Sequence, residues 1–252
     1  MKRMAMIVFV FVLSVLFTNV SLAQQGFAVE FFGNAADQVE AKDSPSFDLN
    51  GKALTMEAWV FPTGVGGSLV IVNKENSYEM ALNQGVLSYA VSAGAWKWWG
   101  GGAVEQNVWS HVAVTYDGKE TTGWVNGQES NSTNENSGNI SPTNDPFNIG
   151  WRPFDTHSPF MGIIDEVRIS SSVRYTEDFD VPTEEFDRDG DTVALYHLNE
   201  GAGKVTKDTS GNENDAEFIG EPKWVESTVP LALAVKPKEK LAVAWGAVKA
   251  MR

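Results

Sequence analysis

Val108-Trp-Ser-His-Val-Ala-Val-Thr-Tyr-Asp-Gly-Lys-Glu-Thr-Thr-Gly-Trp-Val-Asn-Gly127 decides the fold. β-Branched and aromatic residues fill it, and Asp117-Gly118 and Asn126-Gly127 punctuate it. Both dipeptides tolerate positive φ, so each marks a tight turn. The stretch therefore reads as a hairpin with Thr121–Val125 as its short second arm. Val112, Val114 and Tyr116 alternate onto one face, while Trp109, His111 and Ala113 take the other. Outward from this hairpin the same pattern recurs at Ala28–Phe32, Ala53–Phe61, Ser68–Asn73, Tyr78–Leu82 and Val86–Val91. It returns at Phe147–Ile149, Gly162–Ile169 and Thr192–His197. No stretch of useful length in this region has the period of a helix. Gln128–Asp145 is dense in Asn and Ser and reads as a loop. The expectation is an all-β chain folded as a two-sheet antiparallel sandwich.

The chain has 252 residues and a formal charge of −14. It has no cysteine, so a disulfide framework, a thiolate metal site and a cysteine nucleophile are excluded. Lys2 and Arg3, the apolar run Met6–Phe17 and the small-residue site Ser21-Leu22-Ala23 make residues 1–23 a secretory signal peptide, expected as a helix. An uncleaved anchor is the rival reading, because Met4–Ala23 is nearly long enough to span a bilayer. Cleavage removes two positive charges and takes −14 to −16. Such a surface repels phosphate backbones, so nucleic acid is not an expected partner. The expected location is secreted, periplasmic or cell-surface, with no membrane span after cleavage. Residues 24–228 form the expected domain. Residues 229–252 form a short basic and apolar C-terminal tail, read either as a docking segment or as a frayed end.

The strands taken together resemble the LamG-like jelly-roll domains of the concanavalin A-like lectin and glucanase superfamily. The matching pieces are Val29-Glu-Phe-Phe-Gly-Asn-Ala-Ala-Asp37, Met56-Glu-Ala-Trp-Val60, Trp109–Gly118, Trp124-Val-Asn-Gly127 and Ile163-Ile-Asp-Glu-Val-Arg-Ile169. Each is weak alone, but their joint order and spacing are specific. Leu195–Gly203 followed by Asp208–Asp215 also matches, although in many family members this pair comes first. Either it closes a permuted sandwich or it begins a second, truncated module. The short length after Asp215 favours closure. The resemblance implies a concanavalin A-like jelly roll and binding roles: glycans, adhesion or protein contacts, often beside calcium.

The segment around Asp165 is similar to the last long strand of superfamily members, where an Asp binds a structural calcium with loop carbonyls. On that resemblance the expected calcium site combines Asp165, a carbonyl near Asn34, and Asp208 or Asn212. The alternative is that Asp165 hydrogen-bonds loop amides and that Asp208 starts an Asx-type turn. Asp187-Arg-Asp-Gly-Asp191 fails as an EF-hand loop because its Gly190 comes fourth instead of sixth.

Catalysis finds little support. Glucanases of the superfamily carry alternating carboxylates on one strand, which places an acid and a nucleophile on one face. Here Asp165 and Glu166 are adjacent and should point to opposite faces. His111, His157 and His197 show no triad or metal-hydrolase spacing.

The candidate ligand surface is Ala95-Trp-Lys-Trp-Trp-Gly-Gly-Gly102. In an extended chain Trp96 and Trp98 share one face and Trp99 takes the other. Trp faces stack on sugar rings, and Trp151, Arg152, Asp155 and His157 offer polar and aromatic partners. The alternative is that the Trp residues plug the core. The functional expectation is a secreted, non-catalytic, lectin-like module binding glycan, with a structural calcium. An adhesion or assembly module binding extracellular protein is the second reading, and a glycoside hydrolase the third. The sequence leaves the oligomeric state open.

Overall fold

The computed structural model describes residues 26–231, apart from positions 36, 50, 52, 65 and 153–158. The signal segment 1–23, the tail beyond residue 231, and the candidate residues Asp155 and His157 lie outside the described residues.

The described residues form sixteen strands and no helix, arranged in two antiparallel sheets of eight strands. The first sheet runs β10 (Gln128–Thr133), β9 (Thr121–Val125), β8 (Ser110–Tyr116), β3 (Leu54–Pro62), β12 (Met161–Ser170), β1 (Phe27–Phe32) and β16 (Lys223–Glu226). On β12 it also carries β13 (Thr192–Tyr196). The second sheet runs β14 (Val205–Thr206), β15 (Ala216–Ile219), β2 (Gln38–Ala41), β11 (Phe147–Ile149), β4 (Ser68–Lys74), β5 (Tyr78–Asn83), β6 (Val86–Val91) and β7 (Trp98–Ala103).

The period-2 pattern places the core. Val112, Val114 and Tyr116 of β8 meet Met80, Leu82 and Tyr89 of the second sheet in one buried cluster. Full burial of a Val, Leu or Met side chain contributes about 1.5–3 kcal/mol. The chain ends close the sandwich side by side: the Phe27 amide donates to Asn199 Oδ1 at 2.8 Å, and the Ser227 amide to the Gly26 carbonyl at 2.9 Å. Residues 192–226 thus add strands to both sheets.

The stretch expected as a loop after Gly127 begins with a strand. Asn126 and Gly127 both take positive φ, 50° and 76°, and this tight turn returns the chain antiparallel onto β9. Gln128–Thr133 reads as polar because it is an edge strand with a bulge between Glu129 and Asn131.

Candidate functional site

The outer face of the first sheet is covered in part. Residues 171–190 cross it as a strap: the Phe179 amide donates to the Gly127 carbonyl at 2.8 Å, and Thr55 Oγ1 donates to the Ser172 carbonyl at 2.7 Å. A Cβ on Gly127 would sit 2.0 Å from the Phe179 carbonyl oxygen, so only glycine admits this approach. Beneath the strap Glu57, fully buried, receives Arg168 at 2.8 Å and the Tyr175 hydroxyl at 2.7 Å, with His111 Nε2 at 3.2 Å. Trp59, Phe186 and Leu195 form a second apolar cluster there, joined by Val229 and Leu231. His111 and His197 are packed and hydrogen-bonded, the latter to Glu166 at 2.8 Å.

The outer face of the second sheet is where the tryptophans emerge. Trp98-Trp99-Gly-Gly-Gly is the edge strand β7. Trp99, opposite Tyr89, packs partly buried against the core. Trp98, opposite Ala90, points the other way and stays 41% exposed. Trp96, half-buried, meets it edge-to-face at 5.9 Å. A hollow of about 320 Å³ lies beside Trp98, lined by Asn83, Val86, Ser88, Trp99 and Gly100. The glycines let the strand and sheet edges close up. A Cβ on Gly100 would meet the Leu87 carbonyl at 2.8 Å, and one on Gly101 the Ser130 carbonyl of β10, also at 2.8 Å.

Register continues this face away from Trp98. Glu217, Glu40, Asn148, Asn73, Glu79, Ala90 and Trp98 stand directly opposite one another on successive strands. Their sequence neighbours Ala216, Val39, Phe147, Val72, Met80 and Tyr89 enter the core, so the row itself faces outward. Six strand spacings of about 4.8 Å make it roughly 29 Å long. Arg152, just past β11, reaches Glu79 at 3.5 Å and Glu75 at 3.9 Å. Trp151 precedes it, half-buried. Burial lifts the Glu79 carboxyl to about 7, against the opposing pull of Arg152 and Asn73. The sequence reading found the Trp end of this row and missed Asn73, Glu79 and Asn148.

Residues 32–178 match a laminin-G-type family model described as the concanavalin A-like lectin/glucanases superfamily. The chain belongs to this superfamily. A candidate carbohydrate-binding protein from Bacteroides ovatus shares the fold with a TM-score of 0.67 and 20% identity, over 83% of this chain. This chain spans 62% of that protein's length. A CBM40 module of a Ruminococcus gnavus sialidase, bound to α2,3-sialyllactose, aligns at 15% identity and TM-score 0.46, over 58% of this chain and 91% of that one. Domains LG4-5 of the mouse laminin α1 chain align at 14% identity and TM-score 0.43, over 61% and 45%. No curated protein sequence matches the chain.

In this lectin/glucanase sandwich the expected calcium residues do not converge. Asp165 lies one residue past the Ile164–Val29 pair, so Asn34 is roughly 20 Å away along β1 at about 3.3 Å per residue. Asn34 instead donates to Asp37 at 2.9 Å. Asp208 organises an Asx-type turn, accepting from the Ser210 and Leu195 amides at 2.9 and 3.0 Å, while Asn212 donates to the Val193 carbonyl at 2.8 Å. Asp165 accepts from Ser227 Oγ at 2.6 Å and from the Glu166 amide at 2.9 Å. Burial holds its carboxyl well above the usual range. Asp165 and Glu166 also share the outer side, contrary to the alternation expected of them. A β-bulge, with Glu166 at φ 49°, inserts the extra residue between inward-facing Ile164 and Val167.

These groups set a pH dependence. Burial raises Asp165, Glu166 and Glu79, so the folded chain holds protons that the unfolded chain has released. Glu166 raises His197 despite that residue's own burial, and this stability is lost as pH climbs through the folded value. Both effects make stability fall as pH rises from about 5 to 8. Glu57 acts oppositely: burial pushes it up, but His111, Arg168 and Tyr175 outweigh burial and hold it low, so its stability is lost as pH falls. The melting midpoint is therefore expected to peak at roughly pH 5–6. A calorimetric midpoint that climbs steadily to pH 8 contradicts this balance.

Proposed function

We propose that the protein is a non-catalytic glycan-binding module whose site is the outer face of the second sheet, anchored at Trp98. One observation carries this reading. A large aromatic ring stands 41% exposed on a sheet face, beside an open hollow with Asn83 and Ser88, while the strap covers part of the opposite outer face. An exposed indole suits the apolar C–H face of a sugar, and the neighbouring amide and hydroxyl suit its hydroxyls. The carbohydrate-binding description of the Bacteroides ovatus fold relative agrees with it.

Geometry disfavours hydrolysis on this face. Glu40 and Glu79 are three strand spacings apart, roughly 14 Å, beyond the 5–9.5 Å that glycosidase pairs need. Glu75 and Glu79 are close, since Asn73 Nδ2 donates to both at 3.2 and 2.9 Å. Arg152 contacts both, however, and Asn73 holds both as well, so the two are tied into one ion-pair and amide network.

The test is a glycan array probed with the purified chain, with retention of defined glycans expected. Silence across the array at high protein concentration contradicts the reading and favours an extracellular protein partner.

A further inference from the structure

Asn73 and Asn148 stand directly opposite each other on β4 and β11, both fully buried. Their Cβ atoms are about 4.5–5.5 Å apart in such a pair. Each amide has spent its NH₂ group. Asn73 Nδ2 donates to Glu79 at 2.9 Å and to Glu75 at 3.2 Å, and Asn148 Nδ2 donates to the Pro146 carbonyl at 3.2 Å. Neither amide can be turned over, because its oxygen would then face carboxylates or a carbonyl. Both Oδ1 atoms are left without a partner. Gln38 repeats the pattern two residues from Glu40 on the same face. Its Nε2 donates to Glu40 at 2.8 Å, and its buried Oε1 has no partner.

The unpartnered amide oxygens on this face are thus all acceptors, and buried acceptors need a donor. We propose that Asn73 and Asn148 form the acceptor pair of a second subsite, which takes the hydrogen-bond donors of an uncharged or amine-bearing sugar and turns acidic sugars away. This deepens the glycan reading above and rests on it. A hydroxyl or an ammonium donates to such a pair, whereas a carboxylate or sulfate has only acceptors to offer. Charge points the same way. Glu40 and Glu217 face each other at one end of the row, Glu75 and Glu79 occupy its middle, and the chain carries −14 overall. Among the described residues Arg152 is the guanidinium that contacts the row, and the last two engage it. The amides are closed to bulk water, so a donor reaches them only when the face opens. Once inside, a donor meets no competing solvent, which strengthens its bond. Trp98 stands three strand spacings from Asn73, roughly 14 Å, so one oligosaccharide can span both.

The test is calorimetric titration of the full chain with neutral hexasaccharides (mannohexaose, xylohexaose and cellohexaose), a chitosan hexamer and hexagalacturonate. At least one neutral or amine probe is expected to bind at least tenfold more tightly than hexagalacturonate. Preference for chitosan places an ammonium on the amide pair, and preference for a neutral probe places a hydroxyl there. Asn148→Leu is expected to weaken that binding at least tenfold while the melting midpoint holds or rises, because the swap removes an orphaned buried oxygen. If the leucine variant does not fold, Asn148→Ala removes the same oxygen with less bulk, and the same loss of binding is expected. Two results overturn the subsite while leaving glycan binding at Trp98 standing: equal affinity for hexagalacturonate, or full affinity in the Asn148 variant, which would mean that an ordered water alone serves the amides. Silence of the wild type toward every probe overturns the subsite and the glycan reading together.

Discussion

Glu57→Gln is expected to destabilise the protein by about 3–5 kcal/mol, the usual cost of removing one partner from a buried ion pair. Glu57 is fully buried on β3 and answers three groups at once: Arg168 from β12, Tyr175 from the strap and His111 from β8. Removing its charge leaves the Arg168 guanidinium, 7% exposed, with only neutral acceptors, the new amide oxygen and the Asp187 carbonyl. Tyr175 stacks on Phe179 at 3.5 Å, and Arg168 lies over the Phe186 ring at 4.5 Å, so the damage spreads into the strap. Urea unfolding measures the loss. Replacing both charges, as in Glu57→Leu with Arg168→Met, is expected to recover most of it, because no lone charge is then left buried. A loss below about 1 kcal/mol in the single variant would mean that the cluster holds no net charge pairing, as for an exposed pair.

Trp98→Ala is expected to abolish glycan retention, with a loss of at least tenfold in affinity, about 1.4 kcal/mol. Its ring touches Trp96 edge-to-face and otherwise faces the hollow, so the fold should keep its midpoint. Trp99→Ala is the control in the opposite sense. That ring packs against the core, and its loss should cost about 2 kcal/mol of stability, less than a fully buried aromatic. Trp99 also lines the hollow, so the pair is separated by stability: Trp98→Ala weakens binding with the midpoint kept, whereas Trp99→Ala lowers the midpoint. Affinity measurements and melting curves on both variants read the difference.

What the sequence showed depended on how local the cause was. The hairpin Val108–Gly127 was legible because its alternation and two turn dipeptides lie within one stretch. β10 was not, because an exposed edge strand needs no apolar residues and Ser, Thr and Asn serve it as well as they serve a loop. Trp98 and Trp99 were placed on opposite faces by alternation, but which face meets the core depends on pairing with β6, some ten residues earlier. The bulge at Glu166 left no local signal, since non-glycine residues there are held in the left-handed region by tertiary contacts: its carboxylate accepts the Phe186 amide at 2.8 Å and pairs with His197. The row from Glu217 to Trp98 is a product of register alone. Its members come from seven strands scattered between residues 40 and 217, and among its polar neighbours only Asn73 and Glu79, on the two arms of one hairpin, lie close in sequence. For the expected calcium set the resemblance supplied residue types, while the hydrogen-bond partners of Asp165 and Asp208 come from Ser227 and Ser210.

The most direct test of the site is a titration of the isotope-labelled chain with a bound oligosaccharide, following the indole N–H resonances of its nine tryptophans by heteronuclear NMR. The account predicts saturable shifts of Trp98 and Trp96, while buried Trp124 and Trp59, on the strapped sheet, stay fixed. Saturable binding that leaves Trp98 unmoved and shifts Trp59 or Trp124 would place the ligand on the other sheet and contradict it.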